Sequence, residues 1–149
     1  MQPEKSAPAP LWIIALLALA PFLISAGIYG FGPMDLRPGA LTALQTWSAM
    51  VLSFLGGVRW GLESARPAPR WTRLTTSVLS SVAAWVLLMS RGHLSAGWMI
   101  IGFIAAFMLQ WLFDHTAPDV PARYPRLSTT LTAGACVSLA VALEQAWRM

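Results

Sequence analysis

The chain has 149 residues, 56% of them apolar and 11% charged, with ten Lys or Arg against six Asp or Glu and a formal net charge of +4. An ordinary soluble domain carries roughly 25% charged residues, and a disordered chain is poor in apolar ones. With a mean hydropathy of +0.60, the class that fits is an integral membrane protein.

The spacing of the charges divides the chain. The stretches 6–34, 38–58, 74–90, 92–113 and 127–143 hold no Lys, Arg, Asp or Glu, and they run for 29, 21, 17, 22 and 17 residues. At about 1.5 Å per residue each crosses, or nearly crosses, a hydrocarbon core of about 30 Å. For the two 17-residue runs, Arg73, Arg91 and Arg126 make up the difference by snorkelling to the headgroups. The runs are too long for barrel strands and do not alternate, and a segment in lipid must satisfy its own backbone, so they are read as helices. The expected fold is all-α: an N-terminal tail over 1–10, then one compact domain over 11–149. That domain holds five transmembrane helices at about 11–31, 41–62, 72–90, 94–113 and 127–147. No stretch remains for a separate soluble domain.

The first segment has a signal-like core ending in Ala18-Leu19-Ala20. Pro21 would follow the cleavage site, the leading region pairs one Lys with one Glu, and the apolar run continues to Phe31, so a retained helix is expected. Pro21 removes the bond to the Leu17 carbonyl and predicts a kink, which Ser25 is placed to ease.

The second segment carries a small-residue stripe, Ala49, Ser53, Gly57 and Gly61, with Gly56 beside it; Gly57 and Gly61 form a GxxxG pair. Helices in lipid associate through such smooth faces. The third segment offers Ser77, Ser81 and Ala84, the fourth Gly102, Ala106 and Gln110, and the fifth Thr130, Gly134, Ser138 and Ala142. Ser53, Gly56, Gly57, Gly61, Gly102 and Gly134 are therefore the expected packing positions within the bundle, with docking on a partner as the alternative use. Arg59 and Glu63 stand four apart at the end of the second segment and can pair on one face. The fourth segment ends at the same level with Gln110, Asp114 and His115. These five form the candidate polar cluster. It reads first as a structural clasp of Arg59 with Asp114 or Glu63, and alternatively as the mouth of a proton or ion path.

Between the second and third segments, Arg66-Pro67-Ala68-Pro69-Arg70 is basic and stiffened by proline, and contact with anionic lipid would suit it. The loop from Asp114 to Arg126 holds Pro118, Pro121 and Pro125 and reads as a tether. Five crossings put Lys5, Arg59, Arg66, Arg70, Arg73, Arg123 and Arg126 on one face and Arg37, Arg91 and Arg148 on the other. The N-terminus is then expected inside and the C-terminus outside. The basic excess is topogenic, so no nucleic-acid partner is expected.

Of eight Trp, Trp12, Trp60, Trp71, Trp111 and Trp147 fall near segment ends, as an interfacial belt requires. Trp47, Trp85 and Trp98 fall deeper and could line a pocket for a flat ligand such as a quinone, belt and packing being the simpler use. His93 and His115 bracket the fourth segment, about 33 Å apart along a helix, and cannot share a metal or a haem within one chain. Cys136 is the single cysteine and reads as a packing residue. Metal, cofactor and catalytic residues are all expected to be absent, and the protein is not expected to be an enzyme, because no phosphate loop, nucleophile elbow or nucleophile–base pair is present.

The block Ser53–Gly61, SFLGGVRWG, resembles the signature of the membrane family known as domain of unknown function 3429. Pro21-Phe22 in the first segment, Asp114 closing the fourth, and Arg126-Leu127 before Leu131-Thr132 agree in order. The resemblance covers most of residues 15–140 and implies a small multi-pass protein of the bacterial inner membrane, or of the mitochondrial inner membrane in a eukaryote. It carries no established activity, cofactor or catalytic residue. The leading functional expectation is an accessory, assembly or scaffold subunit that packs, in the lipid bilayer, against a larger membrane complex or a second copy. The alternative is a small solute, ion or proton transporter with the polar cluster at its inner mouth. High Ala, Arg and Pro usage suggests a GC-rich bacterial source.

Overall fold

The structure is a computed structural model that describes residues 9–115 and 123–148, with side chains described at 10, 12–113 and 129–148. The tail with Lys5 and the loop prolines Pro118 and Pro121 lie outside the described residues, as do the side chains of Asp114, His115, Arg123 and Arg126.

Among the described residues five helices follow one another: α1 (Ala9–Phe31), α2 (Arg37–Ser64), α3 (Trp71–Met89), α4 (Ala96–His115) and α5 (Arg123–Arg148). There is no strand among the described residues. Among the described residues four helices, α1 to α4, are long and apolar enough to cross a membrane.

Local chemistry sets the ends. Gly32 and Pro33 stop α1, and the Arg37 Nε donates to the Gly32 carbonyl at 3.2 Å across the turn. Pro38 opens α2, where its missing N–H costs nothing. Pro67 and Pro69 separate α2 from α3. The tight α3–α4 turn needs the left-handed backbone of Gly92, whose φ is +91°.

The helices form a ring in which α2 packs on α1 and α3, and α5 packs between α1 and α4. Contacts between α2 and α4 and between α3 and α4 close it. Helices that follow one another in the chain run in opposite senses, whereas α1 and α5 run in the same sense, with Leu19 beside Gly134 and Gly30 beside Gln145. At one end Gly30 of α1 lies against Gln145 of α5, and Gly97 of α4 lies against Trp147 of α5. At the other end the Trp111 indole N–H donates to the Thr129 hydroxyl at 2.8 Å. The interior is filled by Phe22, Phe103, Phe107, Leu44, Leu52, Leu55, Ile100 and Leu139, all with almost no exposure. Phe22 and Phe107 meet edge to face with centroids 6.0 Å apart.

The small residues divide into two groups. A Cβ on Gly56 would lie 2.5 Å from the Ser77 carbonyl oxygen, on Gly102 2.5 Å from Leu87, and on Gly134 2.5 Å from Leu19. These three glycines mark close approaches of α2 to α3, α4 to α3 and α5 to α1. Ser53 is half-buried. Gly57 and Gly61 differ from expectation: both are exposed and neither has a neighbour within 4 Å of an added Cβ. The reason is helical drift. Steps of four residues advance about 40° beyond a full turn, so a stripe from Ala49 to Gly61 turns through about 120°. Ala49 is buried, and Gly61 has rotated out of the bundle. On α3 the buried set is Ser77, Ser80 and Ala84, while Ser81 is exposed, for the same reason.

Helix α1 runs unbroken through Pro21. From α2 the Trp47 indole N–H donates at 2.9 Å to the Ala18 carbonyl, next to the Leu17 carbonyl that Pro21 leaves without its helical donor. Trp85 and Trp98 face outward at about 60% exposure, so the three deeper tryptophans do not line a common pocket.

Candidate functional site

Arg59 and Glu63 fall one turn apart near the end of α2, on its buried face, with 3% and 5% exposure. Gly56 precedes Arg59 by three residues on that face. Its missing side chain lets α3 come close enough for Arg59 to reach it. The Arg59 Nη2 donates to the Ser80 hydroxyl at 3.2 Å and to the Thr76 carbonyl at 3.5 Å. It also donates to the Gln110 Oε1 of α4, which accepts the Ser80 hydroxyl proton as well. Arg59, Ser80 and Gln110 thereby knot three helices through one amide oxygen. The Phe113 ring lies 5.2 Å from the Arg59 Cζ and adds the attraction of a cation for a π face.

Glu63 turns away from Arg59, a correction to the expected pair four residues apart. The chain reverses at Pro67–Pro69 and brings Arg70 back to it. Its Oε2 accepts from the Arg70 main-chain N–H at 2.8 Å and from the Arg70 Nε at 3.1 Å. Its Oε1 accepts from the Arg70 Nη2 at 2.9 Å. Arg66 stands 3.5 Å away. A two-pronged guanidinium contact reinforced by a main-chain donor outcompetes a single pair along the helix. Arg73, in the first turn of α3, donates to the Phe113 carbonyl at 3.2 Å. It thus places a cation at the negative C-terminal end of α4.

Of the five cluster residues, Arg59 and Gln110 bond directly, and Glu63 lies beside them in a separate salt bridge. Asp114 and His115 close α4 at this level, with side chains outside the described residues. His93 sits in the exposed turn at the opposite end of α4. The sequence reading singles out neither Ser80 nor Phe113, and it takes Arg70 and Arg73 as basic residues of the membrane surface rather than as partners of Glu63 and α4. Ser80 could have been found from Ser77, three residues before it on the same face. Arg70 could not, because its role depends on the turn folding back.

A smaller polar contact lies at the opposite end. Gln45 is buried, accepts from the Arg91 Nε at 3.2 Å and donates to the Met99 sulfur at 3.7 Å.

Arg59 ties α2 to α3 and α4 through Ser80 and Gln110, and a guanidinium keeps its protons in proteins. Among the described residues no group of three or more His, Cys, Asp or Glu could hold a metal ion.

Comparison with known proteins adds the relationship. A family model described as protein of unknown function, DUF3429, matches residues 7–144. Transmembrane protein 69 of Xenopus tropicalis is 31% identical over 139 residues, covering 91% of this chain and 54% of that protein. The chain therefore spans about half the length of this curated relative. No solved structure matches.

Proposed function

The chain belongs to the DUF3429 family of proteins of unknown function, and we propose that it is an accessory or scaffold subunit that packs within the bilayer against a larger membrane complex. One observation carries this reading. Gly57 and Gly61 present a smooth strip on the outward face of α2, with open space where side chains would be, flanked by exposed Met50 and Phe54. Intramolecular packing leaves this strip unused, and a partner helix can approach such a surface closely.

The transporter reading is less well supported. Above Arg59 and Gln110 the bundle is filled by Phe107, Phe22 and Phe103, and a guanidinium at the mouth repels cations. Helix α5 serves as a fifth crossing in this proposal, because it runs beside α4 from Trp111 to Gly97. With the basic residues of the α2–α3 turn inside, the N-terminus is inside and the C-terminus outside, in an inner membrane of a bacterium or mitochondrion.

Native mass spectrometry after purification in mild detergent tests the role. A stoichiometric membrane-protein partner is expected, lost in Gly57→Leu/Gly61→Leu with the fold intact. A chain that runs alone in several detergents overturns it, and a dimer of this chain replaces the partner by a second copy.

A further inference from the structure

We propose that Arg91, in the turn between α3 and α4, holds the phosphate of a phospholipid. Its side chain is exposed, and its Nε donates to the Gln45 Oε1 at 3.2 Å. Gln45 is 2% exposed and is itself held by the bond from its Nε2 to the Met99 sulfur. A neutral amide meets one N–H of the guanidinium and none of its charge. Among the described residues no carboxylate pairs with Arg91. The other basic residues described at this end differ. Arg148 pairs with Glu144 at 2.6 Å, and Arg37 is half-buried against the Gly32 carbonyl of its own turn, two residues from Asp35. In the orientation proposed above, the positive-inside rule disfavours a cation on this side, so topology gives no reason for Arg91 to be there.

The turn holds the charge in place. Gly92 supplies the left-handed backbone, and the His93 and Leu94 N–H groups both donate to the Ser90 carbonyl, at 2.9 and 3.0 Å. With Nε fixed on a buried amide, the Nη1–Nη2 edge remains for a ligand, and such a fork matches two oxygens of one phosphate. Little freedom is lost on binding. The surroundings are apolar. Gly102 of α4 lies against Leu87 of α3, and one turn nearer this end stand Trp98 and Arg91. Trp98 is 60% exposed and Leu94 45%, and an indole settles at headgroup level. Away from the turn, Met89, Val86, Val82 and Leu79 follow one another at steps of three, four and three residues, so they share one exposed face of α3. A lone exposed guanidinium holds a free anion weakly. A phosphate that carries acyl chains adds their contact with this row, which favours a lipid over inorganic phosphate and over a nucleic acid.

The inference rests on α3 and α4 crossing a membrane and is independent of the accessory role. The full chain, purified in mild detergent, is titrated under native mass spectrometry with dioleoyl phosphatidylglycerol. A parallel titration uses a dioleoyl glucosyl glycerolipid, which has the same chains and no phosphate. The first phospholipid is expected to bind at least about fivefold more tightly than the first glycolipid, because the fork is added to the same apolar contact. Arg91→Gln is expected to bring the two affinities together, with the thermal midpoint in the absence of lipid showing that the fold is intact. Arg91→Lys, which keeps the charge and loses the fork, is expected to retain part of the preference. Equal affinities in the parent, or no bound lipid, overturn the proposal. A preference that Arg91→Gln leaves unchanged overturns the assignment to Arg91. Displacement of the lipid by millimolar inorganic phosphate would make the free anion the ligand and overturn the lipid. Protein partners appear in the same spectra as separate masses, so failure of the accessory role and failure of the lipid site are read independently.

Discussion

Taking a guanidinium out of water costs several kcal/mol unless its charge and N–H groups are met. At Arg59 the Ser80 hydroxyl and the Gln110 amide oxygen accept from Nη2, and the Phe113 ring lies beside the charge. Gln110→Leu removes the oxygen shared by Arg59 and Ser80 and is expected to destabilise the fold by about 2–3 kcal/mol. Gln110→Glu keeps an acceptor and is expected to be milder. Thermal unfolding followed by circular dichroism in detergent reads both. An unchanged midpoint in the leucine variant would show that Gln110 does not hold Arg59. Trp47→Phe keeps the ring and removes the donor to the Ala18 carbonyl beside Pro21, with an expected loss of about 1 kcal/mol by the same measurement. Arg59 and Gln110 could be picked out in the sequence because polar groups are rare in such segments. The role of Trp47 could not, since Trp has many uses in a membrane helix and only the contact decides between them.

Adjacent glycines on α2 have opposite roles. Gly56→Ala would put a Cβ 2.5 Å from the main-chain Ser77 oxygen, which cannot give way without moving α3. The expected cost is about 1–3 kcal/mol. Gly57→Ala meets nothing within 4 Å and gains helix propensity, so its midpoint is expected to stay or rise. Single labelling of Cys136, half-buried on α5, gives an independent readout: faster reaction in Gly56→Ala, with Gly57→Ala like the parent. Equal behaviour of the two variants would contradict the observed helix rotation. The five helices themselves were legible in the charge gaps, because a long run without charges has one regular way to satisfy its own backbone, a helix. Which glycine faces inward was not, because a strip of small residues is smooth whichever way it turns.

Across the whole molecule, Phe22, Phe103 and Phe107 separate the Arg59 end from the Gln45–Arg91 end. Proteoliposomes carrying the protein are expected to hold a proton gradient as long as empty ones do, as a pH-sensitive dye inside would record. A faster collapse that Gln110→Leu alters would favour transport. Reporter fusions test the crossings: a C-terminal fusion is expected to report the outside, and a reporter in the 66–70 turn the inside. A C-terminal reporter on the inside would mean that α5 does not cross.

The sequence by itself determined the class of protein, the number and approximate extent of the helices, and the level at which polar groups gather. These follow from transfer energies, which depend on composition along one dimension and need no knowledge of neighbours. Tertiary structure alone decided the partners. Glu63 is held by Arg70 and not by Arg59, Gly56 lies against α3 while Gly57 and Gly61 face out, and Trp47 bonds a main-chain carbonyl of α1. Each of these depends on the rotation of one helix about its axis against the next. A few tens of degrees reassign a side chain from one neighbour to another, and only the packing of all five helices together sets that angle.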